Sequence, residues 1–145
     1  MTIRHAQPED AAEIARVFIA APTTNLAFLN WEYPFEEIRA LFANHVLPHG
    51  SVFVCEVNAE LVGFIAWKDE EIDHLYVHPD HQGKGLGSAL LMEVFAESPK
   101  RLELWVFQRN LPAIRFYGKH GFRLAYETDG KDNMEKEPDA RYVWP

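Results

Sequence analysis

Residues 78–91 read HPDHQGKGLGSALL and carry Gly83, Gly85 and Gly87 at alternate positions just before an apolar helical pattern. The first N–H groups of a helix have no acceptor within the helix, and together they carry about half a positive charge. Glycine leaves such a helix start uncovered because it has no Cβ, so an anion can approach the backbone closely. The stretch therefore predicts a phosphate-binding turn between a strand and a helix.

The spacing of the glycines excludes two common phosphate-binding patterns. The pattern G-x-x-x-x-G-K-[ST] requires Ser or Thr after its lysine, whereas Lys84 is followed by Gly85. The dinucleotide pattern G-x-G-x-x-G is absent because the glycines fall at G-x-G-x-G. A tight turn without a ligand explains one or two of the glycines, but hardly three that follow a glutamine.

Length and charge narrow the class of protein. At 145 residues, of which 48% are hydrophobic, the sequence predicts a single domain over residues 1–145. The net charge of −8 and the lack of a basic run argue against nucleic acid and anionic membranes as partners. Cys55 is the only cysteine and lies in an apolar stretch. With no secretory signal and no long apolar run, these features predict a cytoplasmic protein.

Hydrophobic periodicity predicts the element order β-α-α-β-β-β-α-β-α-β-β and a mixed sheet with helices on both faces. The first helix is expected to follow Pro8 and to end at Pro22, and the second to run from Phe35 to Val46. A hairpin through Asn58 and Ala59 follows. The remaining elements are a strand in EEIDHLYVH, a helix over about 84–97, a strand in RLELWVF, a short helix capped by Gly121, and strands in FRLAYE and ARYVW.

Two segments resemble the cofactor motifs of the GNAT superfamily of N-acetyltransferases. The first is Gln82-x-x-Gly85-x-Gly87, and the second is Asn110-x-x-Ala113-x-x-Phe116-Tyr117-x-x-x-Gly121-Phe122. The resemblance implies an α/β fold, with a GNAT-like, mostly antiparallel sheet of six to seven strands and helices on both faces. It also implies direct transfer of acetyl from acetyl-CoA to a primary amine of a small molecule, peptide or protein. A non-catalytic acyl-CoA-binding module is the alternative.

The resemblance assigns the cofactor contacts residue by residue. Loop amides hold the pyrophosphate, Asn110 binds the pantetheine arm, and backbone amides of residues 75–77 polarise the thioester carbonyl. The implied cofactor-binding residues are Leu75, Tyr76, Val77, Gln82, Gly83, Lys84, Gly85, Leu86, Gly87, Ser88, Asn110 and Tyr117.

Three side chains are candidates for acid–base chemistry. The resemblance makes Tyr117 the acid that protonates the departing CoA thiolate. An acceptor amine with a pKa near 10 must lose a proton, and Glu71 and Asp73, two apart on one strand, are candidate bases. His74 is expected on the opposite face unless a bulge shifts the register. Glu71 lies eleven residues before Gln82, as in the histone-acetylating branch, but solvated strand acids and a water chain remain alternatives.

No metal is expected, since His78, Asp80 and His81 are too few ligands for a closed zinc site. The acceptor site is expected in residues 25–35 and 127–139, as the family resemblance implies. Its aromatic side chains would wall an amine pocket beside a carboxylate, although core packing explains them equally well. These residues are Phe28, Trp31, Tyr33 and Phe35, with Glu32 or Glu36 as the carboxylate. The apolar terminal strand RYVWP makes a homodimer possible.

Overall fold

A computed structural model describes residues 1–25 and 34–145, and the side chains of residues 22–25 lie outside the description. The backbone divides into two compact units, Met1–Ser98 and Pro99–Pro145. Each unit carries its own strands and helices, in the order that the periodicity predicts.

Unit 1 is a four-stranded antiparallel sheet in the order β1-β2-β3-β4. The strands are β1 (Thr2–His5), β2 (Ser51–Val57), β3 (Glu60–Lys68) and β4 (Glu71–Val77). A 3-10 turn (Pro8–Asp10) leads into α1 (Ala11–Asn25); α2 (Phe35–Leu41) continues through a π-helical segment (Phe42–Val46) into the turn α3 (Leu47–His49). A 3-10 turn (Pro79–His81) and α4 (Leu86–Ala96) complete the unit.

Helices cover both faces of the unit 1 sheet, as predicted. One face forms a core with α1 and the π-helical segment, made of Ile14, Val17, Phe18, Phe42, Val52, Val54, Phe64 and Ala66. The other face meets α4, because a Cβ placed at Gly63 would lie 3.4 Å from Cδ1 of Leu90. Neighbouring residues of a strand point to opposite faces, so Gly63 faces α4 and Phe64 faces the core formed with α1.

Three predicted helix ends are wrong, each for a reason of backbone geometry. The first helix continues past Pro22 to Asn25, because a proline removes its own N–H but leaves the next residues able to bond upstream carbonyls. Pro48 does not interrupt the second helix, which runs to His49 after the wider π-helical turn. The fourth helix begins at Leu86, since Gly85 before it is left-handed with φ +81°.

The β2–β3 hairpin turns on two non-glycine residues in the left-handed region. Asn58 has φ 52° and Ala59 has φ 65°. Alanine lacks the short polar side chain that makes this region tolerable for asparagine, so its Cβ crowds the following carbonyl. The predicted hairpin is confirmed, and its turn stores strain at Ala59.

Replacing Ala59 with Gly is expected to stabilise the protein by about 1 kcal/mol, because glycine adopts a positive φ without that crowding. Chemical denaturation curves of the two proteins would measure the difference. Ala40→Gly is the matched control: it lies inside α2, where glycine should destabilise by about 1 kcal/mol. A loss of stability in Ala59→Gly would contradict the strain at this turn.

Unit 2 is a three-stranded antiparallel sheet with one helix. It contains β5 (Leu102–Phe107), α5 (Leu111–Lys119), β6 (Arg123–Glu127) and β7 (Asp139–Trp144), and its strand order is β5-β7-β6. Tyr142 of β7 is opposite Leu104 of β5 on one side and Leu124 of β6 on the other. The terminal strand is therefore internal in unit 2, so it offers no free edge for pairing with a second copy, and that basis for a homodimer is removed.

Gly121 caps α5 as predicted. It has φ +92°, and its N–H donates to Gly118 O at 3.1 Å while Phe122 N–H donates to Tyr117 O at 3.0 Å. These two bonds form a Schellman motif, which satisfies the last carbonyls of the helix and requires a left-handed residue.

Candidate functional site

The chain turns sharply after β4, and histidines help to make that turn. Nδ1 of His78 accepts a hydrogen bond from Asp80 N–H at 3.2 Å, which caps the 3-10 turn Pro79–His81. The rings of His78 and His81 lie 6.4 Å apart. Among residues 1–25 and 34–145, no three His, Cys, Asp or Glu side chains are grouped to hold a metal ion.

Gly83 and Gly85 form an open, left-handed approach to α4. Their φ angles are +79° and +81°, and a Cβ placed on either would meet no atom within 4 Å. The first helical hydrogen bond runs from Ala89 N to Gly85 O at 3.0 Å, so the amides of Leu86 and Gly87 precede it. The space that a Cβ would fill is therefore open above a helix N-terminus, which fits an anionic group such as a pyrophosphate.

Two residues of the predicted motif have structural roles beside this opening. Gln82 donates from Nε2 to Val77 O at 2.9 Å and ties the loop back to the end of β4. The Leu86 side chain is 6% exposed and belongs to the core, so only its backbone can face a ligand. Lys84 is exposed.

The β3–β4 register decides which amides of β4 point away from β3. His78 N–H bonds Val62 O at 2.8 Å, and Phe64 is opposite Tyr76 two residues further along. Hydrogen-bonded pairs alternate with non-bonded pairs in an antiparallel ladder, so the Tyr76 amide points to β3. The amides of Leu75 and Val77 therefore point to the other edge.

A β-bulge at Asp73 changes which side chains share a face of β4. Ala66 is opposite His74 and the next residue, Trp67, is opposite Ile72, so Asp73 is the extra residue. This shift brings Glu71 onto the same face as His74, while the exposed Asp73 lies at the bulge. The regular alternation on which the prediction for Glu71 and Asp73 rests is therefore interrupted at Asp73, and the bulge condition for His74 is met.

His74 is a half-buried titratable group, with its ring among aromatic side chains, that sequence reasoning did not select. Its ring centroid lies 5.3 Å from that of Phe42 and 5.6 Å from that of Phe18. Burial in this aromatic surrounding lowers the pKa of His74 to about 4, so the imidazole is neutral at physiological pH. The only sequence signal was its place on the strand before the glycine loop.

Asn110, in unit 2, is the N-cap of α5. Its Oδ1 accepts a hydrogen bond from Ala113 N–H at 3.3 Å. This cap explains the spacing Asn110-x-x-Ala113 by local helix geometry, and it leaves the Nδ2 group as the donor that a ligand would use.

Tyr117 lies in the body of α5 and is half-buried. Its ring centroid lies 5.2 Å from that of Phe116 and 5.3 Å from that of Phe122. Both aromatic neighbours belong to the same predicted motif, so the motif fixes the position of the tyrosine ring.

The connection between β6 and β7 is held by Asp139. Its Oδ1 accepts from the Thr128 hydroxyl, and its Oδ2 accepts from Asn133 Nδ2 at 3.2 Å. Gln108 Nε2 donates to the carbonyls of Thr128 and Asp139 at 2.8 and 3.0 Å. Asp139 is 9% exposed, so part of the predicted acceptor segment is a buried polar network.

The other predicted acceptor segment, residues 25–35, is described only at its two ends. Phe28, Trp31, Glu32 and Tyr33 lie outside the described residues. At the start of α2, the Arg16 guanidinium lies 5.8 Å from the Phe35 ring, and Arg39 donates to the exposed Glu36 carboxylate at 3.1 Å. Phe35 and Glu36 thus each interact with a neighbouring arginine.

Residues 9–122 match the model of the acetyltransferase (GNAT) family, which covers both the glycine loop and the α5 motif. The chain belongs to the GNAT family. It is an N-acetyltransferase, and the family uses acetyl-CoA.

Named GNAT relatives cover much of the chain. Peptidyl-lysine N-acetyltransferase YjaB of Salmonella typhimurium is 25% identical over 146 residues, covering 100% of this chain and 99% of that protein. L-amino acid N-acyltransferase MnaT of Escherichia coli is 34% identical over 108 residues, covering 68% and 63%. An uncharacterised N-acetyltransferase of Methanocaldococcus jannaschii is 42% identical over 99 residues, or 58% of this chain. The chain spans only 44% of that last relative.

Solved structures show the same GNAT fold. The solution structure of apo YjaB from Escherichia coli has a TM-score of 0.78 at 24% identity and covers 99% of this chain and 96% of that chain. PaiA N-acetyltransferase from Thermoplasma acidophilum, in complex with coenzyme A, has a TM-score of 0.78 at 21% identity and covers 99% of each chain. The predicted fold class is confirmed. Within the described ranges, none of the helices has the length and apolar character needed to span a bilayer.

Proposed function

We propose that the glycine loop and α4 hold the pyrophosphate of acetyl-CoA through the backbone of residues 83–88. The observation that carries this proposal is the left-handed, open turn at Gly83 and Gly85 before the N-terminus of α4. Gln82 holds that turn against β4, and Asn110 binds the pantetheine arm through Nδ2. When bound, acetyl-CoA supplies an activated thioester.

The residues divide the work of acyl transfer into three roles. The amides of Leu75 and Val77, which point away from β3, donate hydrogen bonds to the thioester oxygen as charge develops on it. Glu71 takes the proton that the acceptor amine must lose. Tyr117 gives its hydroxyl proton to the departing sulfur, and Asp73, at the bulge, is the alternative base to Glu71.

The acceptor is a primary amine of a peptide, protein or small molecule. An acidic chain of net charge −8 attracts a cationic amine. The named relatives include a peptidyl-lysine N-acetyltransferase and an L-amino acid N-acyltransferase, which makes lysine side chains and amino acids the first two acceptors to test.

Amine-dependent release of CoA from acetyl-CoA tests this function. The panel should contain a lysine peptide, free amino acids, their amides and simple alkylamines. We expect turnover with at least one class. A protein that binds CoA in calorimetry but releases none with any amine would be the non-catalytic module instead.

Replacing Gly85 with Ala is expected to weaken CoA binding about tenfold, because a Cβ at φ +81° costs about 1–2 kcal/mol of strain in the binding-competent turn. Isothermal titration with CoA would measure this. Gly118→Ala is the matched control, since Gly118 is exposed in α5 with open space around it and lacks a positive φ. Equal weakening in both variants would contradict a specific role for the left-handed turn.

The enzyme is proposed to act in the cytoplasm as a single domain over residues 1–145, without a metal and without nucleic acid or membrane as a partner. The buried Cys55 and the acidic balance support this proposal. A homodimer stays a prediction that sedimentation would test.

A further inference from the structure

Two backbone irregularities of unit 1 meet at His74. The β-bulge at Asp73 immediately precedes it on β4, and the π-helical segment Phe42–Val46 presents Phe42 to its ring at 5.3 Å. Bulges and π-helical turns re-aim side chains, and both are over-represented at functional sites. Their convergence on one imidazole makes that side chain a candidate for contact with a substrate.

A histidine at this position lowers the stability of the folded protein. Rings of Phe18, Phe42 and Phe64 surround it, with centroids 5.3 to 6.3 Å away, and Nδ1 is shielded from solvent with no hydrogen-bond partner in the part of the chain that is described. Leaving a buried polar atom unpaired costs about 1–3 kcal/mol, which a phenylalanine in the same place would not incur. The nitrogen atoms therefore serve something other than packing.

The surroundings of Nδ1 decide which nitrogen carries the proton. A buried N–H without an acceptor is rarer in proteins than a buried acceptor without a donor. The neutral ring therefore keeps its proton on Nε2 and leaves a lone pair on Nδ1. Since the side chain is only half-buried and Nδ1 is the shielded atom, Nε2–H is the group that can reach a ligand.

Glu71 completes a complementary pair on this strand face. The bulge makes Glu71 and His74 successive residues on one face of β4, and such residues lie about 6–7 Å apart along a strand. A carboxylate accepts hydrogen bonds from an ammonium group, and a neutral Nε2–H donates to an oxygen. The pair matches a molecule in which an amine and a carbonyl or carboxylate oxygen are two or three bonds apart.

We propose that His74 is a specificity-determining residue whose Nε2–H donates a hydrogen bond to the carbonyl or carboxylate oxygen next to the acceptor amine. The acceptor is then an α-amine, that of an amino acid or of a peptide N-terminus, rather than an isolated alkylamine or a lysine side chain. This inference rests on the proposed acetyl transfer to an amine, and it adds the class of amine.

The test compares leucine amide with 3-methylbutylamine, which lacks only the carboxamide group. In the wild type, kcat/KM is expected to favour leucine amide, partly because its α-amine has a lower pKa than an alkylamine and is more often neutral. His74→Phe should lower that preference about tenfold, the contribution of one hydrogen bond together with the penalty of leaving Nε2–H unpaired. His74→Gln, whose amide reaches the position of Nε2, should restore much of it, whereas His74→Asn, which reaches only Nδ1, should not.

A binding measurement separates specificity from chemistry. Calorimetric titration of leucine amide into the enzyme–CoA complex should show about tenfold weaker binding in His74→Phe, with an unchanged CoA affinity. Absence of turnover with every amine would instead overturn the proposed function. Turnover without a wild-type preference for leucine amide, or a folded His74→Phe whose preference is as large as that of the wild type, would overturn the role of His74. If His74→Phe does not fold, the remaining two variants decide: equal preferences for leucine amide in His74→Gln and His74→Asn would also overturn the role of His74.

Discussion

The Tyr117→Phe variant is expected to transfer acetyl groups at least about a hundredfold more slowly than the wild type, the usual contribution of a positioned general acid. The Tyr117 ring packs between Phe116 and Phe122, so phenylalanine keeps the packing and removes only the hydroxyl. Steady-state kcat with acetyl-CoA and a saturating amine would measure the loss. CoA affinity should change little, because the variant keeps the aromatic ring and loses only the hydroxyl, whose proposed role is to protonate the departing sulfur.

Tyr126→Phe is the control for this substitution. Tyr126 lies on the edge strand β6 and is 54% exposed, and its hydroxyl has no assigned role. The control should keep the wild-type rate. A Tyr117→Phe enzyme that matched the wild-type rate across the whole pH range would show that the departing thiolate leaves unprotonated or takes its proton from water.

Acidification from pH 7 to pH 4 is expected to cost about 3 kcal/mol of folding free energy through His74. The unfolded chain protonates this imidazole near its ordinary pKa of 6.5, whereas burial lowers the folded pKa to about 4. Between these values the unfolded state binds more protons, so stability rises with pH through this window. Above it, the ring is neutral in both states and the penalty disappears.

Urea denaturation of the wild type, His74→Phe and His74→Gln at several pH values would isolate this effect. Both variants lack a titrating ring, so the difference in unfolding free energy between wild type and variant should change by about 3 kcal/mol between pH 7 and pH 4. Both should change alike although one is apolar and the other polar. A constant difference across this range would show that His74 titrates normally in the folded protein.

The order of the helices and strands could be predicted from the sequence because each element has a strong local pattern. The apolar spacing of Ile14, Ala15 and Phe18 recurs at the helical period, and the β2 and β3 runs are β-branched or aromatic. The glycine loop and the Gly121 cap could be predicted because glycine is the residue that adopts a positive φ without strain. These features depend on residues close in sequence.

The features that the sequence did not reveal depend on pairing between distant segments. The bulge at Asp73 exists only relative to β3, and it places Glu71 and His74 on one face of β4. The selection of the Leu75 and Val77 amides likewise follows from the β3–β4 register. Continuation of the helices past Pro22 and Pro48 shows that a proline marks a missing donor, which tertiary packing and a π-helical turn can accommodate.

The placement of β7 between β5 and β6 has a consequence for synthesis on the ribosome. Strands β5 and β6 both precede β7 in the chain, yet within unit 2 each pairs with β7. A nascent chain that has emerged only as far as residue 138 holds two strands with no common neighbour between them. Closure of this sheet must therefore wait until residues 139–144 are available, and until then the edges of β5 and β6 that pair with β7 stay open.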